Sequence, residues 1–156
     1  NGGTGSIETH KVKLFSTQYM EQDEALNVTG TLLSTKNTRL DFSEPRLVNL
    51  NWNAEQGYDQ SFIINAYNGS VQLCAEAWST DESLCLQVFT TEPVVHFYTG
   101  RWIPEVPGKR GVLYGPYSGL CFETQHHPNA INLKGFPDTV LNPGELFSRT
   151  DRFVAC

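Results

Sequence analysis

The chain has 156 residues, 39% of them hydrophobic, and 11 Lys and Arg against 17 Asp and Glu for a formal net charge of −6. That size suits one domain able to bury a core without disulfide staples. The basic residues form no stripe that could track phosphates, which argues against a nucleic-acid partner, and no apolar run approaches the ~20 residues of a bilayer-spanning helix, so no membrane partner is expected either.

The opening NGGTGSIETH does not read as a signal peptide; its Gly-rich start leads directly into strand-like sequence and looks like a join rather than a beginning. From there the periodic segments have period two. THKVKLFS alternates, SFIINAY is a compact β-rich run, and SVQLCAEAW sets Val71, Leu73, Ala75 and Ala77 on one face. SLCLQVFTT does the same with Leu84, Leu86 and Val88. PVVHFYTG, GVLYGPYSGLCFETQ and ELFSRTDRFVAC continue the pattern. Turn signals separate them: NVTG, NGS, STDE, VPGKRG, HHPN, KGFPD and NPGE. No long window carries a 3.6-residue apolar stripe. The prediction is an all-β antiparallel sandwich or barrel with minimal helix, spanning residues 1–156 as one domain.

Cys74, Cys85, Cys121 and Cys156 include no close pair of the metal-binding kind, so no metal site is expected. A hairpin through STDE could bring Cys74 near Cys85, yet free buried thiols are the simpler expectation. Asn27-Val28-Thr29 and Asn68-Gly69-Ser70 are N-glycosylation sequons, usable only in a secretory pathway.

No nucleophile elbow, phosphate loop or paired-histidine metal motif is present, so no cofactor is implied. What stands out is polar chemistry in strand contexts: Asp59 in GYDQSF, His96 in VVHFYTG, and Glu123 with Gln125 in CFETQ. By position alone Asp59 reads as a turn acid and His96 as a satisfied strand histidine. Glu123 reads as the solvated face of a strand whose Leu120, Phe122 and Thr124 point inward. The sharper alternative is that Cys121, Glu123 and Gln125 line a polar pocket. His126 and His127 suit an exposed turn. Trp52, Tyr58, Trp102, Tyr114 and Tyr117 form either core or a sugar-stacking wall.

In order and spacing, FSTQYMEQDEALNVTGTLLSTKNTRLDF, GYDQSF, LQVFTTEPVVHFYTG and GLCFETQHHPNAINLKGFPDTVLNPGE resemble the carboxyl-terminal half of aldose 1-epimerases, the galactose mutarotases. The resemblance covers essentially the whole chain. It implies an antiparallel β supersandwich, present as about half of the family's full domain, and interconversion of the α and β anomers of an aldohexose such as galactose or glucose. Glu123 then stands at the catalytic base, with Asp59 at an acidic residue that binds sugar hydroxyls and Gln125 on the same face as Glu123. His96 stands where the family often has a sugar-contacting glutamine, and the change alters the hydrogen-bonding frame offered to the substrate. Asn129 replaces an aspartate that is common after the proline. A glutamate serves as such a base when it is held in a partly desolvated pocket. The resemblance further implies that the general-acid histidine belongs to an amino-terminal half, a separate or missing chain; His10 does not occupy that position. The family is commonly cytoplasmic, whereas the sequons at Asn27 and Asn68 point to secretion. A carbohydrate-binding module without catalysis, or a β structural protein without a site, are the alternatives.

Overall fold

The alternation in the sequence becomes two antiparallel sheets in the computed structural model, which describes residues 5–156. The Gly-rich opening lies largely outside the described residues. The strands are β1 (Lys11–Leu14), β2 (Ser16–Gln22), β3 (Val28–Ser34), β4 (Arg46–Leu47), β5 (Asp59–Ile64) and β6 (Gln72–Trp78). They continue as β7 (Cys85–Thr90), β8 (Val94–Tyr98), β9 (Val106–Pro107), β10 (Leu113–Tyr114), β11 (Cys121–Gln125) and β12 (Asp151–Ala155). Helix among the described residues is limited to two three-residue 3₁₀ turns, Lys109–Gly111 and Ala130–Asn132.

One five-stranded sheet runs β12-β7-β6-β1-β4 and the other β11-β8-β5-β2-β3, while β9 and β10 pair as a small ribbon. The two large sheets bury their facing sides as a sandwich does. Val12 and Leu14, Ala75 and Ala77, and Val88 come from the first sheet; Phe62 and Ile64, Val95 and Phe97, and Phe122 come from the second. Phe42 and Tyr58 fill the centre against Phe97, with ring centroids 5.4 and 5.7 Å from it. Phe97 and Phe122, directly opposed on β8 and β11, stack at 5.4 Å.

Three departures from the sequence reading have local causes. NVTG is not a turn: Val28 already begins β3, and Gly30 sits inside that strand at φ +91°. In β6 the register against β7 shifts between Leu73 and Ala75, a bulge at which Cys74 and Ala75 are buried in succession, while Val71 precedes the strand and is exposed. Leu84 precedes β7 and stays outside, so only Leu86 and Val88 of the expected trio lie on the strand.

The thiol expectation also needs correcting. Cys74 is free and buried and Cys121 is free and exposed, but Cys85 and Cys156 form a disulfide. β12 lies antiparallel to β7 with Ala155 opposite Leu86, so the next residue arrives opposite Cys85. Reciprocal backbone bonds of 3.0 Å join the two cysteines, and their Cα atoms are 4.9 Å apart, within the spacing a disulfide needs.

Candidate functional site

The face of the second sheet that points away from the sandwich core carries the polar residues of interest. Successive side chains of a strand alternate faces, so burying Phe122 and Thr124 of β11 turns Cys121, Glu123 and Gln125 outward together. On β8, burial of Val95 and Phe97 turns His96 to the same side. Register then aligns them: Glu123 lies opposite His96, and His96 opposite Ser61 of β5. Asp59 stands two residues before Ser61 on that face. It is the first residue of β5 and not a turn acid.

Ser61, His96, Glu123 and Gln125 floor a cleft of about 470 Å³, within the roughly 300–1,000 Å³ typical of small-molecule sites; Asp59 is not in its lining and meets it through His96. Gln22 at the end of β2, Leu26 and Asn27 in the following loop, and Val28 at the start of β3 wall one side. Pro128 and Asn129, just beyond β11, wall the other. The register shift between Met20 and Gln22 is a bulge on the edge that supplies the first wall.

His96 is held at both ring nitrogens. Nε2 lies 2.7 Å from Asp59 Oδ1 and Nδ1 lies 2.9 Å from Ser61 Oγ. A carboxylate only accepts, so Nε2–H donates to Asp59, and in the neutral ring Nδ1 accepts from the Ser61 hydroxyl. Both histidine nitrogens are thereby used within the site. Asp59 Oδ2, in contrast, makes no hydrogen bond among the described residues, and neither does the Glu123 carboxylate. Glu123 is exposed, so the partial desolvation expected of it is not found in this chain. Desolvation of the thiol first, and the Glu123 carboxylate second, push the Cys121 pKa above its ordinary value.

The chain aims Asp59 through the residues just before it. Gly57 adopts φ +65°, and a Cβ there would meet Thr99 Oγ1 at 2.5 Å. That hydroxyl accepts from Tyr58 N–H at 2.8 Å and donates to Tyr58 O at 3.1 Å, clamping the backbone immediately ahead of Asp59. Gly57→Ala is expected to cost about 1–3 kcal/mol of stability, measured by urea unfolding. A neutral result would show that Thr99 is not a rigid stop.

Behind the cleft floor, a second polar cluster ties β11 to the other sheet. Thr124, the neighbour of Glu123 that points inward, donates to Asp151 Oδ1 at 2.7 Å, and Thr90 donates to the same oxygen at 2.7 Å. Arg149 donates through Nε to Asp151 Oδ2 at 2.5 Å and through Nη2 to Thr124 O at 2.7 Å. Glu92, only 3% exposed, pairs with His126 Nδ1 and lies 4.0 Å from Arg149 Nε. His126 is therefore engaged with a buried carboxylate, beyond the exposed turn expected of it. His127 packs against Phe136, ring centroids 4.6 Å apart.

Burial opposes ionisation of Asp151, but the hydrogen bonds from Thr124, Thr90 and Arg149 outweigh it and hold the pKa below the ordinary 3.8. The folded state thus binds this proton more weakly than the unfolded chain. The resulting stability is present above the unfolded pKa and drains as pH falls through the folded one. Asp151→Asn should lower stability near neutrality and reduce the further loss on acidification below pH ~4. Urea midpoints at several pH values would show it; parallel wild-type and variant curves would refute it.

The aromatic wall is not found. Tyr58 and Tyr117 are buried in the core, Trp52 packs on Tyr117 at 4.6 Å, and none of Trp52, Tyr58, Trp102, Tyr114 and Tyr117 lines the cleft. Cys121 is absent from the lining as well, although it shares the face. Ser61 and Gln22 escaped the sequence reading, and Asn27 entered it only as a sequon. Ser61 had a signal, since it falls two residues after Asp59 in a strand. The described residues include no group of three or more His, Cys, Asp or Glu side chains gathered as a metal site.

The family model for aldose 1-epimerase matches residues 1–153. Galactose mutarotase of Sus scrofa is 33% identical over 157 residues, covering 97% of this chain and 45% of that protein. Aldose 1-epimerase of Escherichia coli K12 is 29% identical over 156 residues, 95% of this chain and 45% of that protein. The chain therefore spans under half the length of these relatives. A solved aldose epimerase homologue from C. elegans superposes with a TM-score of 0.87 at 24% identity, over 99% of this chain and 47% of that one, a likeness of fold.

Proposed function

Because this chain belongs to the aldose 1-epimerase family, we propose that it supplies the base and part of the sugar-binding surface for interconverting the α and β anomers of an aldohexose. The observation that carries this reading is the row in which Glu123, His96 and Ser61 face one cleft by strand register, with Asp59 bonded to His96. Such a row is what a proton-transfer site on a polyhydroxylated substrate requires. It combines a carboxylate free to take a proton with hydrogen-bonding groups that fix the ring against it.

In this reading Glu123 removes the proton from the C1 hydroxyl while an acid protonates the ring oxygen. The bond from C1 to that oxygen breaks, the open-chain aldehyde turns about C1–C2, and the hydroxyl re-adds to the other face of the carbonyl. Asp59 Oδ2 accepts from sugar hydroxyls, and the Gln125 amide accepts from or donates to them. His96 and Ser61 keep the Asp59 carboxylate in place, so His96 acts on the sugar chiefly through Asp59. Among the residues lining the cleft, His96 is the sole histidine, and both of its nitrogens are occupied. The general acid is accordingly assigned to a part of the protein beyond this chain.

The exposure of Glu123 and the occupied nitrogens of His96 favour a specific second reading, in which this chain by itself binds a monosaccharide without turning it over. Titrating galactose and glucose into the protein while recording NMR shifts of the β5, β8 and β11 amides tests binding. Polarimetry on the freshly dissolved α anomers tests turnover. Asp59→Asn should weaken binding by about 1.5–3 kcal/mol, the worth of a hydrogen bond to a charged group. Binding without catalysed optical relaxation by the complete protein would select the second reading, and no sugar-dependent shift at all would refute both.

A further inference from the structure

The redox state of two cysteines and the geometry of two sequons converge on an inference independent of the sugar chemistry. The Cys85–Cys156 disulfide closes at the surface end of the β7–β12 pair, where Cys156 is exposed. A disulfide so placed is open to cellular thiols and persists in an oxidising compartment. That is also the setting in which sequons are modified, and the two sequons differ sharply.

Asn68 lies in the turn between β5 and β6, where every residue from 65 to 71 is exposed. Its Oδ1 accepts from Ser70 N–H at 2.9 Å and from the Ser70 hydroxyl at 2.6 Å. The sequon hydroxyl thus sits on the asparagine's own amide, and Nδ2, the atom a glycan would occupy, makes no hydrogen bond among the described residues. At Asn27 the arrangement is different. Its Nδ2 donates to Asp23 Oδ2 at 3.4 Å, and the Thr29 hydroxyl donates to Glu21 Oε2 at 2.7 Å instead of to Asn27. Asn27 also walls the cleft above the Ser61–His96–Glu123 row, so a glycan there would stand over the site.

We propose that this chain matures in an oxidising secretory compartment, where Cys85 and Cys156 are joined, Asn68 carries an N-linked glycan, and Asn27 is left bare. The co-reactants are a protein dithiol oxidant and a polyprenyl-pyrophosphate-linked oligosaccharide. In the first step the two thiols give two electrons to the oxidant's disulfide; their S–S bond forms while the oxidant's breaks and takes up the two protons. In the second, Asn68 Nδ2 bonds to the anomeric carbon of the oligosaccharide and loses one proton. The bond from that carbon to the pyrophosphate oxygen breaks, and the lipid pyrophosphate leaves with the electron pair.

Peptide mapping of the protein isolated from the cells that make it tests both parts. Free thiols are blocked before digestion, and glycans are released by peptide N-glycosidase in heavy-oxygen water, which labels each formerly glycosylated asparagine. The expected result is label at residue 68 with none at 27, together with a Cys85–Cys156 linked peptide that separates on reduction. A Ser70→Ala variant expressed in the same cells should lose the glycan's mass shift and keep the linked peptide. An unlabelled Asn68, a labelled Asn27, or Cys85 and Cys156 recovered as blocked free thiols would each overturn the proposal. The readout is mass, so its outcome stands apart from whether the protein turns over sugar.

Discussion

Glu123→Gln is expected to slow the catalysed interconversion of anomers by about 10²–10⁴-fold, the usual worth of a positioned general base. The amide keeps the size of the carboxylate and its place opposite His96, but it cannot take the proton from a C1 hydroxyl. Stability should scarcely change, by no more than about 0.5 kcal/mol, because Glu123 is exposed and its carboxylate makes no hydrogen bond among the described residues. Polarimetry on freshly dissolved α-galactose, run beside urea unfolding of the same preparation, separates the two quantities. A variant that folds normally and relaxes the optical rotation at the wild-type rate would remove Glu123 from the mechanism.

Phe97→Ala should strike stability first. Phe97 is fully buried and touches aromatic rings on three sides, with Phe42 and Phe122 each at 5.4 Å and Tyr58 at 5.7 Å. Truncation forfeits its transfer energy and leaves a cavity that a packed aromatic cluster fills poorly, for a loss of about 3–5 kcal/mol. The urea midpoint reads it directly. A loss below about 1 kcal/mol, less than that of an ordinary core truncation, would mean that the cluster collapses onto the vacancy. His96 is the next residue and shares the strand, so sugar binding should weaken alongside stability.

Alternation made β1 and β11 legible, because each buries one face and shows the other; β5 showed as a compact β-rich run, and β7, β8 and β12 as short strand-like segments between turn signals. β2 and β3 were not legible. Thr17, Gln18, Glu21 and Gln22 leave β2 with too few apolar positions to show a period, and β3 is nowhere fully buried. Both strands are held by their neighbours' hydrogen bonds more than by their own pattern. The disulfide could not be read either, since a 71-residue separation is bridged only once β12 docks on β7. At the site, Asp59, His96, Glu123 and Gln125 were recognisable as polar residues in strands. That His96 and Glu123 stand face to face is a matter of register between β8 and β11, and one sequence carries little local trace of register. The contact between His126 and Glu92 was hidden for a similar reason, as it joins residues 34 apart.

The alternation that turns Glu123, His96 and Ser61 toward the cleft while sending Phe122, Phe97 and Phe62 into the core also divides the labour of heredity. In the proposed site Glu123, His96 and Ser61 answer to the substrate, while Phe122, Phe97 and Phe62 answer to folding. A chain built this way can acquire a different sugar preference through changes at one set while the other goes on specifying the same sandwich, so innovation and integrity are written in separate, interleaved letters.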